Sequence, residues 1–140
     1  MPSEMTAADV LNVVRLFAEH EIPLVIDGGW AVDAVLGHLT RPHSDLDIAV
    51  AHEDVPRLRA LLAAHGYQEI PRDDSWECNF VLEDSAGHQV DVHSCTFDAA
   101  GNLIFGVPYP IESLQGSGTI LGQPVRCITP AWLVKFHTGY

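Results

Sequence analysis

The chain is poor in positive charge. Seven Lys and Arg stand against 19 Asp and Glu, for a formal net charge of −12. A phosphate backbone is gripped by basic footprints, so this balance argues against a nucleic-acid partner. The excess of acid fits either a cleft that attracts a cationic or neutral small molecule, or a surface kept soluble by its charge. Long hydrophobic runs are missing too, and none approaches the roughly 20 apolar residues of a membrane helix. The opening MPSEMTAADV is acidic and polar, with no signal-peptide pattern. Cys78, Cys95 and Cys127 are odd in number and lack CxxC spacing, as expected of reduced thiols in a cytoplasmic protein. No repeat, low-complexity tract or linker interrupts the 140 residues, which suit a single domain over 1–140. At 47% hydrophobic residues, the chain has the material for a core.

Periodicity supplies the elements. TAADVLNVVRLFAEHE has a helical stripe at Val10, Val13, Val14 and Phe17, and Thr6 with Asp9 resembles a capping box. PLVI reads as a short buried strand ending at Asp27, and Gly28 and Gly29 as the turn after it. WAVDAVLG reads as a helix closed by Gly37, SDLDIAVA as an alternating strand, and EDVPRLRALLAAHG as a third helix stopped by Gly66. YQEI, ECNFVLED and HQVDVHSC read as strands, the last two joined through SAGH as a hairpin. GVPYP and GSGTILGQPVRCI read as turn-rich, and Thr129 caps a last helix with Pro130 at its first position. This order predicts an α+β fold, a mixed sheet with helices packed on it.

Chemistry concentrates in IDGGWAVDAVLG and RPHSDLDIAV. On a strand, Asp45 and Asp47 share one face while Leu46 and Ile48 turn to the core. Like charges one step apart repel, and a cation between them relieves the repulsion; hard carboxylate oxygens suit Mg²⁺. The same pair also fits a solvated strand edge. A strand, two glycines and a helix leave unpaired helix N–H groups facing a pocket, a ready site for phosphate, although a plain turn looks the same. Together the two motifs supply a phosphate cradle and a metal that bridges phosphates. Arg41 offers a fork for phosphate oxygens. His43 joins the face of Asp45 if the strand starts early. Asp91 lies on the open face of its strand with His93, where a third acid can bind metal or take a proton. A competing reading takes His88, Asp91, His93 and Cys95 as ligands of a zinc hydrolase. It leaves the glycines and the paired aspartates unexplained.

The stretch IDGGWAVDAVLGHLTRPHSDLDIAV, with Asp91 further on, resembles the nucleotidyltransferases of the DNA polymerase β superfamily. Within it, the likeness is to small antibiotic-modifying members of the lincosamide nucleotidyltransferase and aminoglycoside 2''-nucleotidyltransferase type. The tail GQPVRCITPAWLVKFHTGY is similar to the family's closing stretch, so the resemblance spans nearly the whole chain. It implies a polymerase β-like nucleotidyltransferase fold. It implies that Gly28 and Gly29 hold a nucleoside triphosphate, that Arg41 and His43 contact it, and that Asp45, Asp47 and Asp91 bind Mg²⁺, with Asp91 as candidate general base. The reaction expected is transfer of AMP from ATP to a hydroxyl of a small, cationic antibiotic. Glu77, Glu83 and Glu112 are candidates to receive its amine. Trp76 and Tyr109 are candidates for an exposed aromatic wall, and Trp30 is assigned to the core. The family usually continues beyond HTGY into an acidic helical segment, so the reading expects that segment to be missing here. A homodimer is a further expectation from the resemblance.

Overall fold

The computed structural model describes residues 4–136; the HTGY part of the tail motif lies outside the described residues. The helices are α1 (Ala7–Glu19), α2 (Gly28–Leu36), α3 (Val55–Ala64) and α4 (Pro130–Phe136). The strands are β1 (Val25–Asp27), β2 (Asp45–Ala51), β3 (Gln68–Ile70), β4 (Asn79–Glu83), β5 (Gln89–Phe97), β6 (Leu103–Gly106), β7 (Gly116–Ile120) and β8 (Gln123–Cys127). All eight form one sheet, seven of them in the order β3-β4-β5-β2-β1-β8-β7, with β6 joined to β5 off this path. β4 pairs with the first half of β5, and β6 with its second half, Cys95–Phe97. The β2–β5 and β1–β8 pairs are parallel and the others antiparallel, so the sheet is mixed, as the element order predicts.

Register explains how the sheet separates core from chemistry. Ile26, Ile48, Val92 and Phe80 lie side by side across β1, β2, β5 and β4. All four are essentially fully buried. One residue along, the row turns to the opposite face and reads Asp27, Asp47, Asp91 and Val81. The period of two along each strand thus gives apolar rows to the core and delivers carboxylates together on the other side. Val10, Leu11, Val13 and Phe17 of α1 and Leu58 and Leu62 of α3 complete the core. Helix α1 starts on the expected capping box, with reciprocal bonds between Thr6 and Asp9. Gly37 closes α2 in a left-handed conformation, also as expected.

The structure departs from the sequence reading at four places. Gly28 and Gly29 are not a turn but the first residues of α2, because Asp27 caps the helix two residues earlier than expected. GSGTILGQPVRCI is a β7–β8 hairpin, turning at Leu121 and Gly122, since Ile120, Val125 and Cys127 are buried and anchor it. β6 was not anticipated: Leu103, Ile104 and Phe105 are all exposed, so no alternation marks them. Thr129 does not cap α4 with its side chain. Its hydroxyl is buried without a hydrogen-bond partner, and only its carbonyl joins the helix, accepting from the Leu133 N–H.

Candidate active site

Three strand ends and one helix start build the site. Asp47 on β2 is flanked by Asp27 of β1 and Asp91 of β5 in register, with Asp45 two residues before it on the same strand. Oxygens of Asp45, Asp47 and Asp91 all lie within 4.8 Å of one another, the one such potential metal-ligand group among the described residues. Burial, then the charges of Asp45, Asp91 and Asp27, push the Asp47 carboxyl up to about 8. Burial also raises Asp91, against the opposing pull of His93 and of a hydrogen bond from Asn79. Like-charged oxygens crowded this way favour a cation among them, and an all-carboxylate set suits a hard divalent ion such as Mg²⁺. The donor set therefore fits the metal that the fold implies.

Helix α2 begins beside this cluster. Gly28 has φ +65, and a Cβ on it would overlap the Asp47 carboxylate. Only glycine allows the helix start to sit so close to that acid. The Gly28 N–H donates to Asp27 Oδ1 at 2.7 Å. The N–H groups that follow in the first turn have no helical acceptor, which leaves them for an anion. A cleft of about 410 Å³ opens here, lined by Asp27, Gly28, Asp47, Asp91, His93 and Tyr109 among others.

Not every expected residue faces that cleft. His43 lies before β2, in an isolated bridge with Met5, so strand alternation does not carry it onto the face of Asp45. It is buried instead, its Nε2 is 2.6 Å from Asp33 Oδ2, and its ring lies under Trp30 at 4.9 Å. A Cβ on Gly29 would come within 2.6 Å of that ring, so His43 supports the glycine turn from beneath. Asp33 also accepts two bonds from Thr40, which fixes the loop between α2 and β2. Arg41 is exposed on this loop. Glu77 lies 3.5 Å from His52 and Glu112 is exposed in a 3-10 turn at Ile111–Leu114; neither lines the cleft. Glu83 receives a bond from Gln89. Trp30 is buried and Trp76 exposed, as expected, whereas Tyr109 is 5% exposed rather than open. Its hydroxyl donates to Asp27, and this partner is what draws it inward.

The zinc alternative does not assemble. His88 is held by Asp84 at 2.9 Å and faces Asp9 at 3.4 Å, and Cys95 is buried, its thiol pushed up to about 11 chiefly by burial. Sequence reasoning missed Asp27 and Asn79. Asp27 carried a signal, an acid directly before two glycines and a helix, which is the composition of an N-cap. Asn79 carried none, since its role depends on pairing with His93 across β4 and β5, from where its Nδ2 donates diagonally to Asp91 at 2.8 Å.

A mixed sheet thus bears three converging carboxylates beside a helix that starts on glycine. The crystal structure of the lincosamide antibiotic adenylyltransferase LnuA, lincomycin-bound, superposes with a TM-score of 0.84 at 19% identity, over 99% of this chain and 89% of that one. ANT(2'')-Ia in complex with adenylyl-2''-tobramycin gives 0.73 at 28% identity, over 88% and 68%. The 2''-aminoglycoside nucleotidyltransferase of Escherichia coli is 30% identical over 109 residues, 78% of this chain; the match spans 59% of that protein's length. The profile of the aminoglycoside-2''-adenylyltransferase family matches residues 9–140, and the chain belongs to that family. Among the described residues no helix is long and apolar enough to cross a membrane.

Proposed function

We propose that this chain transfers AMP from ATP to a hydroxyl of a small antibiotic of the aminoglycoside or lincosamide kind. The convergence of Asp45, Asp47 and Asp91 beside the start of α2 carries the reading. These three carboxylates would hold Mg²⁺, which when bound offsets the negative charge of the triphosphate and of the attacking oxygen. The free N–H groups at the start of α2 bind phosphate oxygens, and Arg41 adds positive charge from the loop. His43 supports that phosphate-binding turn from below through Gly29. Asp91 Oδ1 is occupied by Asn79, so Oδ2 is the oxygen that takes the acceptor's hydroxyl proton. The acceptor oxygen then bonds to the α-phosphorus, and the bond from that phosphorus to the pyrophosphate oxygen breaks. The acidic cleft, with an aromatic wall of Tyr109 and Phe136, suits an amine-bearing ring compound.

The test is pyrophosphate release from ATP and Mg²⁺ with lincomycin, clindamycin, kanamycin and tobramycin offered singly. Release that needs one drug and disappears in Asp47→Asn supports the reading and names the acceptor class. Release without any drug, with labelled adenylate appearing on macromolecules of a lysate, points to a macromolecular target. Binding of ATP with no turnover on any acceptor points to a nucleotide-binding module.

A further inference from the structure

Asp27 is a fourth carboxylate that the metal-binding group does not include. It is an uncomfortable place for an acid, beside Asp47, whose carboxyl its charge helps to raise. Asparagine or serine would cap α2 as well without the repulsion. The reason for an acid lies across the cleft, where the Tyr109 hydroxyl donates to Asp27 Oδ2 at 2.7 Å. Burial and the Asp27 charge raise the Tyr109 pKa far above the ordinary phenol range, so the phenol keeps its proton and the bond keeps its direction. A bond from a phenol to a carboxylate is charge-assisted and stronger than one to a neutral group. The other oxygen of Asp27 is fixed by the Gly28 N–H. One carboxylate thus bolts the start of α2 to the segment Val107–Pro110 that roofs the cleft.

Tyr109 is the wall that this bolt sets. Pro108 and Pro110 flank it, and its N–H donates to the Val107 carbonyl in a tight turn. Its ring stands edge-on to His93 at 6.4 Å and to Phe136 at 5.9 Å, so it joins strand, roof and α4 in one aromatic surface. The phosphate-binding turn lies on the far side of Asp27 from this wall. We infer that Asp27 is a positioning residue for the acceptor: through its bond to Tyr109 it fixes the aromatic wall, and with it the width of the acceptor cleft. The inference rests on the nucleotidyl-transfer reading for its acceptor, but the latch can be read without one.

The experiment compares Tyr109→Phe, Asp27→Ala, Asp27→Asn and the Asp27→Ala/Tyr109→Phe double variant. Two readouts are used: amide hydrogen exchange across 107–110, and KM for acceptor and for ATP measured separately. Exchange should rise in Tyr109→Phe and Asp27→Ala, and also in Asp27→Asn, whose single side-chain oxygen replaces only one of the two carboxylate acceptors and carries no charge. Acceptor KM should rise roughly ten-fold in the first two, with ATP KM unchanged in Tyr109→Phe and the double variant no worse than Asp27→Ala. Should Asp27→Ala fail to fold, Tyr109→Phe, which removes one oxygen, carries the test beside Asp27→Asn. Unchanged exchange in Tyr109→Phe overturns the latch. Asp27→Asn indistinguishable from wild type overturns the argument for an acid at this position, and an effect confined to ATP KM overturns the latch. A chain that releases no pyrophosphate yet shows the expected exchange pattern refutes the nucleotidyl-transfer reading and supports the latch.

Discussion

Replacing Asp47 by asparagine should stabilise the metal-free protein at pH 8. In the folded chain this carboxyl is raised from 3.8 to about 8, by burial and then by Asp45, Asp91 and Asp27. In the unfolded chain it returns to about 3.9. Between those values the native state holds a proton that the unfolded state has released, so stability is full at low pH and is lost as pH rises towards 8. At about 1.36 kcal/mol per pH unit, the ceiling on that loss is roughly 5–6 kcal/mol at pH 8. Water reaching the cleft and an effective interior dielectric near 20 lower this to about 2–3 kcal/mol. Asparagine keeps the shape and removes the charge, so it should recover that amount, roughly 6–12 °C in Tm for a domain of this size. The assay is thermal melting of both proteins from pH 4 to 8, in EDTA and in Mg²⁺. The advantage of Asp47→Asn should vanish near pH 4, and Mg²⁺ should narrow it at pH 8 by stabilising the wild type alone. A variant no more stable than wild type at pH 8 in EDTA would refute the reasoning.

Asp45→Asn should lower drug-dependent pyrophosphate release by about a thousand-fold, the several kcal/mol of a lost metal ligand, while the circular dichroism spectrum stays unchanged. Gly28→Ala should cost both melting temperature and at least ten-fold in turnover, because its Cβ meets Asp47 and its φ of +65 costs an alanine roughly 1–2 kcal/mol. Asp33→Ala strands a buried His43 and should cost about 3 kcal/mol in urea unfolding. Arg41→Ala should raise ATP KM about ten-fold in steady-state kinetics and leave acceptor KM alone.

The parts of the site that obey a short repeat were legible in the chain. Asp45, Asp47 and Asp91 reach one face because strand alternation is local and regular, and Leu46, Ile48, Val90 and Val92 mark the other face without ambiguity. Gly37 and the Thr6–Asp9 box are local as well, being set by capping chemistry over a few residues. Strand alternation does not reach His43, because β2 begins two residues later, at Asp45. The Asp27–Tyr109 bond spans 82 positions, and no pattern in the chain reports a contact of that range. Glu77 and Glu112 were candidates by charge alone, and charge does not say which side of a sheet a loop returns to.

The parallel pairing of β2 with β5 sets Asp47 opposite Asp91, although a long crossover with α3, β3 and β4 separates them in the chain. Their separation across the sheet is the ordinary spacing of neighbouring strands, about 4.8 Å. It does not depend on how long the loops of the crossover are. Doubling the length of a connecting loop adds only about 0.6 kcal/mol to its closure cost. The loops between the elements of that crossover, rather than β4 with its Asn79 or α3 with its core leucines, are therefore where the chain can take up insertions without detuning its reaction centre. The same arrangement means that no short fragment of the chain can carry the centre, since neither strand holds it without the other.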